Sequence, residues 1–174
     1  LVAFADASVV GALAFDRVEQ GIQQATGELR RYRLPVGGGR GTSRSIADDV
    51  ALPRTAPAVR RRPYRYAYAQ RTGDGAATGL VKVDVTDGSE SVWRERDCFA
   101  GEPVFVPRSD ASDGGDGDGG DGAGDERASE DDGVVLSVVL DRDRDRSFLL
   151  VLDARTFEAE ARAWLPHALP LGFH

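Results

Sequence analysis

The chain has 174 residues, 41% of them hydrophobic, and a formal net charge of −7, which is length enough for one domain with a core of its own. No apolar run approaches the ~20 residues of a membrane span. The single cysteine, Cys98, excludes an internal disulfide and suits a reducing, cytoplasmic setting. No basic stripe with interleaved aromatics points to nucleic acid. The chain begins at Leu1 and contains no methionine, so it is expected to be a piece of a longer protein.

Residues 7–24 repeat apolar side chains at helical spacing through Val9, Val10, Leu13, Ala14, Val18 and Ile22, which predicts a helix closed by Thr26-Gly27. Everything after it predicts short strands. Gly27 to Leu34 forms a poor strand copy, and Gly37-Gly38-Gly39 with Gly41 reads as a flexible turn rather than an anion cradle, because no periodic helix follows. Tyr64, Tyr66 and Tyr68 alternate with small or charged residues and should share one strand face. Val81, Val83 and Val85 alternate with Leu80, Lys82 and Asp84, then turn at 86–89 into a strand through Val92 and Trp93. Val104-Phe105-Val106 lies between two prolines. The run from Val134 to Leu140 is nearly all apolar, as in a strand buried on both faces. Phe148 to Leu152 follows, turning at 153–156.

The segment 110–132 holds eight Asp, two Glu, one Arg and seven Gly. It carries a net −9, which leaves the rest of the chain at +2. Such a segment cannot bury apolar surface and is expected to be a disordered, solvated loop. The EF-hand pattern fails on it, with Gly120 and Arg127 at ligand positions. With the 23-residue insertion removed, Asp84 and Asp153 fall 46 residues apart, a period of one propeller blade of roughly 40–50 residues. The expected architecture is therefore all-β, a β-propeller with one helix near its N-terminus, with a β-sandwich as runner-up.

Chemistry-bearing residues are few. No phosphate loop, cysteine pair or nucleophile elbow occurs, and with two histidines in the chain Cys98 reads as a structural thiol. Two segments stand together, Gly101-Glu102-Pro103-Val104-Phe105-Val106-Pro107-Arg108 and Leu165-Pro166-His167-Ala168-Leu169-Pro170-Leu171-Gly172-Phe173-His174. Between them run Glu130-Asp131-Asp132-Gly133-Val134-Val135-Leu136-Ser137 and Phe148-Leu149-Leu150-Val151-Leu152-Asp153-Ala154. Upstream lie Leu52-Pro53-Arg54 and Arg62-Pro63-Tyr64-Arg65-Tyr66. In this order they resemble the C-terminal blades of the carotenoid cleavage oxygenase family, over 6–174 outside the insertion.

The resemblance implies a seven-bladed propeller with Fe(2+) on its axis, held by four histidines from four blades. It also implies a dioxygenase that cleaves a carotenoid or apocarotenoid double bond with O2 into aldehydes such as retinal. His174 matches the last of the iron histidines, and Glu102 matches a carboxylate that stands behind the metal ligands, the alternative for Glu102 being an ordinary salt-bridge acid. His167 falls at a variable, exposed position. Ala51 departs from the pattern, since family members commonly carry a glutamate there; either a water or a shifted acid, Asp48 or Asp49, stands in for it, or the parent protein is a diverged copy with weakened iron binding. The remaining iron histidines would lie upstream of Leu1, so the chain alone is expected to be inactive. By the same resemblance the substrate enters an apolar tunnel from a membrane, which gives the protein a peripheral membrane contact. The competing reading is a non-catalytic propeller that binds carotenoid or protein.

Overall fold

A computed structural model of the chain describes residues 2–5, 27–72, 79–108 and 129–169. The helix expected over 7–24, most of the acidic segment, and 170–174 with His174 lie outside the described residues.

Three antiparallel sheets follow one another along the chain. The first contains β1 (Val2–Ala5), β2 (Gly27–Arg33) and β3 (Thr42–Asp48), side by side in that order. The second is a meander of β4 (Val50–Arg54), β5 (Tyr66–Arg71), β6 (Gly79–Asp84) and β7 (Glu90–Trp93). The third contains β8 (Cys98–Ala100), β9 (Val104–Pro107), β10 (Gly133–Asp141), β11 (Arg146–Asp153) and β12 (Ala159–Trp164). Here β8 and β9 pair with successive stretches of the same edge of β10. They are one strand broken at 101–103, so the third sheet is also a four-stranded meander.

The sheets stack through two cores. Leu29, Ala47, Val50, Ala67, Ala69, Val81, Val83 and Val85 fill the space between the first and second sheets. Tyr68, Leu80, Trp93, Phe105, Val135, Val139, Phe148, Leu150, Leu152 and Phe157 fill the space between the second and third. Strand β6 is buried along its whole length, because its alternating side chains serve both cores. A two-sheet sandwich has one core; this chain has two with a sheet between them. The last strands, β7 and β12, are mostly or wholly exposed.

The repeat anchored on Asp84 and Asp153 is built from the same bonds twice. Asp84 N–H donates to Ser89 O at 2.9 Å and Gly88 N–H to Asp84 O at 2.8 Å; Asp153 N–H donates to Glu158 O at 2.9 Å and Phe157 N–H to Asp153 O at 2.8 Å. In each turn the aspartate carboxylate accepts the N–H two residues on, from Thr86 and from Arg155. Gly88 and Phe157 occupy matching positions, both with positive φ, 83° and 63°.

Three expectations are corrected. Tyr64 does not share a face with Tyr66 and Tyr68, for it precedes β5 and packs on the first core while they face the second. Strand β10 is not buried on both faces. Val135, Ser137 and Val139 are buried, whereas Val138 on the other face is exposed. Finally, the acidic segment does not stay solvated to residue 132. Asp131 is 5% exposed, and Glu130 accepts the backbone N–H groups of Arg65 and Tyr66 at 2.7 and 3.0 Å. These two acids belong to the junction of the second and third sheets.

Candidate functional site

The first strand of the second sheet and that of the third are each interrupted by a bulge before a proline. In β4, Ala51 pairs with Gln70 and Arg54 with Tyr68, leaving Leu52 and Pro53 opposite Ala69 alone. In β8–β9, Ala100 pairs with Val139 and Val104 with Leu136, so 101–103 face two residues of β10. Proline has no N–H for a ladder, so a bulge is where a strand accepts it. The bulge in β4 also puts Leu52 at φ 49°. Around the second bulge, Gly101 N–H donates to Val138 O at 2.8 Å and Ser137 Oγ donates to Gly101 O at 3.0 Å. These bonds replace the lost ladder and hold the backbone that presents Glu102.

Glu102 is nearly enclosed, its side chain 14% exposed, and its carboxylate meets Arg54 Nε from the first bulge. Gln70 Nε2 donates to Ala100 O at 2.7 Å close by. Two adjacent sheets therefore fasten Glu102 from different directions. Ala51 sits in β4 two residues before Pro53, as the motif requires. Asp48 ends β3 on another sheet and is exposed, whereas Asp49 forms the corner between β3 and β4 with φ 55°.

His174 lies outside the described residues; of the segment before it, 165–169 are described and are anchored on Ser147. Ser147 binds the segment after β12 three times. Its carbonyl accepts Leu165 N–H at 2.9 Å, its N–H donates to His167 O at 3.3 Å, and its Oγ accepts Leu169 N–H at 2.9 Å. Ser147 pairs with Leu140, two rungs along the ladder from Val138 and the Glu102 bulge. His167 is exposed, as expected. No group of three or more His, Cys, Asp or Glu that could hold a metal exists among the described residues. Burial pushes the Cys98 thiol up to about 11, so it stays protonated at neutral pH.

Sequence reasoning missed the ionic junction between the two sheets. Lys82, the sole lysine, is buried with its ammonium 2.7 Å from Asp131 Oδ2, 3.1 Å from Arg155 O and 4.0 Å from the centroid of the Tyr66 ring. Burial raises the Asp131 carboxyl, but hydrogen bonds from Lys82 and Ser129 outweigh it and hold the group below the usual carboxylate range. The signal was present as a lone lysine inside the apolar Leu80–Val85 run.

The sequence pattern of the retinal pigment epithelial membrane protein family matches residues 3–174. The chain belongs to that family. A mitochondrial carotenoid-cleaving dioxygenase of Mustela putorius furo is 38% identical over 112 residues, 64% of this chain and 18% of that protein. The chloroplastic carotenoid cleavage dioxygenase 8 homolog B of Oryza sativa is 34% identical over 153 residues, 83% of the chain and 24% of that protein. A variant of Synechocystis apocarotenoid oxygenase superposes with a TM-score of 0.71 at 29% identity, over 86% of this chain and 30% of that one. Its cobalt-substituted form gives 0.67 over 83% and 28%. The chain thus spans under a third of the relatives it matches. The family's β-propeller accounts for the stacked meanders, each sheet being a blade.

Proposed function

We propose that the protein carrying this chain is an oxygenase that cleaves a carotenoid or apocarotenoid with O2 at Fe(II), working in the cytoplasm against a membrane that supplies its apolar substrate. The observation that carries the reading is Glu102, a carboxylate enclosed at a blade bulge and fastened by Arg54 of the next blade, within a family whose named members cleave carotenoids. The chain alone does not make an iron site. It has two histidines, one of them exposed, and a lone imidazole does not hold ferrous iron against water. His174 would be one ligand of a set completed by sequence outside the chain. Imidazole suits iron, and Glu102 would accept the second ring N–H of a ligand histidine, which fixes its tautomer and raises its basicity.

The test uses the protein with all the sequence its gene encodes. It is purified without oxygen, its iron is counted per chain, and aldehyde products are measured from β-carotene and from an apocarotenal. Near-stoichiometric iron and aldehyde formation are expected, with both lost in His174→Ala. Glu102→Gln should lower metal affinity by ~10–100-fold. An iron-free protein that still binds carotenoid would instead make it a binding propeller.

A further inference from the structure

The β2–β3 hairpin carries a surface that the catalytic reading leaves unused. Its tip, 34–41, exposes Leu34 at 74% and Val36 at 106% of their reference areas, the largest apolar exposures among the described residues. Pro35 stands between them, and Gly38 and Gly39 turn the tip with φ of 90° and 120°. Leu34 Cδ2 lies 2.9 Å from where a Cβ on Gly41 would sit, so its side chain crosses the neck of the hairpin.

Below this apolar tip the near part of the hairpin is basic, while its far end carries Glu28 and Asp48. From Arg30 to Ala47 it contains Arg30, Arg31, Arg33, Arg40 and Arg44 and no acid, in a chain whose net charge is −7. Arg31 and Arg44 face each other directly across the strands, a like-charge pairing that is unfavourable by itself. Neither meets a carboxylate among the described residues. Arg31 lies over the Tyr64 ring at 5.2 Å, and Arg44 donates to Val85 O at 2.8 Å. Of the five, Arg30 holds an acid, Glu28. Arg33 and Arg40 are exposed at the base and within the tip.

An aliphatic tip over a collar of guanidinium groups complements a surface with phosphates outside and hydrocarbon just beneath. A single-stranded nucleic acid would call for aromatic stacking platforms instead. We propose that the 34–41 hairpin is a docking finger for an anionic phospholipid bilayer, with Leu34 and Val36 entering the headgroup boundary and the exposed Arg33 and Arg40 serving the lipid phosphates. The inference deepens the reading of a membrane-fed enzyme and rests on that reading only for its purpose. Vesicle binding and iron content are separate measurements, so either can fail while the other stands.

The test takes the protein with all its gene-encoded sequence and sediments it with vesicles of phosphatidylcholine alone or of equal phosphatidylcholine and phosphatidylglycerol. Binding is expected to the anionic vesicles and should weaken as salt rises. Arg33→Ser with Arg40→Ser should reduce it by about fivefold per arginine, and Leu34→Ser with Val36→Ser by roughly tenfold or more, with circular dichroism and iron content unchanged. A polarity-sensitive dye on Val36→Cys should shift to the blue on adding anionic vesicles. Equal binding to both vesicle types, wild-type binding by both double variants, or a blue-shifted dye before any lipid is added would overturn the proposal, the last because the tip would then be covered by protein.

Discussion

Lys82 and Asp131 show how much a single position decides. Each is more than nine-tenths buried, and each is the other's counter-charge. Removing one leaves an uncompensated charge between two blades, which typically costs ~3–5 kcal/mol. Lys82→Met and Asp131→Asn should each destabilise by that order in denaturant titrations, whereas Lys82→Met with Asp131→Leu should recover most of the loss. The pair also sets an acid limb. Asp131 titrates lower in the folded chain than an ordinary carboxylate, so its contribution is complete above about pH 4 and fades as pH falls through the folded value. Stability measured from neutral to acid pH should therefore drop less steeply in Asp131→Asn than in wild type. Tyr68 tests the opposite sign. Its ring stacks on Phe105 and Phe157, yet its buried hydroxyl has no hydrogen-bond partner among the described residues, and burial drives its pKa up. An unpaired buried hydroxyl costs about 1–3 kcal/mol, so Tyr68→Phe should leave the thermal midpoint unchanged or higher; a clear loss would mean the hydroxyl is bonded after all.

At the scale of elements, the strands were legible where the period was clean and illegible where long-range packing decided. Val81 and Val83 announce β6 by alternation, and Thr86-Asp87-Gly88-Ser89 announces its turn by chemistry. The matching turn after β11 places Phe157 where its counterpart has glycine, and no local preference predicts that. The ring is held there by burial against Tyr68, which outweighs the strain of a positive φ. Glu130 and Asp131 were hidden for a related reason. They continue an acidic, glycine-rich run in composition, and only the fold reveals the Lys82 ammonium and the Arg65 and Tyr66 amides waiting for them. For the site, the Glu-Pro motif marked Glu102 at once, but Arg54 as its partner came from register, because it joins two blades 48 residues apart. Gly133 gives the element-level test. A Cβ there would stand 2.4 Å from Val106 O and 2.6 Å from Phe105 Cζ, so Gly133→Ala must push β9 from β10. A loss of about 2 kcal/mol or more is expected and, on the proposed iron-site reading, lower metal occupancy in the whole protein, since β9 continues from the bulge that presents Glu102.

For the whole molecule, the question is whether three stacked sheets behave as three units or one. Repeated blades that touch only their neighbours can in principle unfold in sequence. The burial pattern of β6 argues against that here. Leu80 and Trp93 belong to the core shared with the third sheet, Val81 and Val83 to the core shared with the first, and all four are on two paired strands or one. Loss of the second sheet removes both cores, and the remaining sheets have no described contact surface to replace them. Leu80→Ala and Val83→Ala therefore make a matched pair, pointing to opposite faces of one strand. If each core were an independent unit, Leu80→Ala would speed amide exchange only in β10 and β11, and Val83→Ala only in β2 and β3. With β6 common to both, each substitution should lower protection at Leu29 and at Leu150 by similar amounts, corresponding to roughly 2–4 kcal/mol for the leucine and less for the valine. Exchange that stays confined to one side of β6 would show that the blades unfold separately, and that the clamp on Glu102 by Arg54 joins two bodies instead of lying within one.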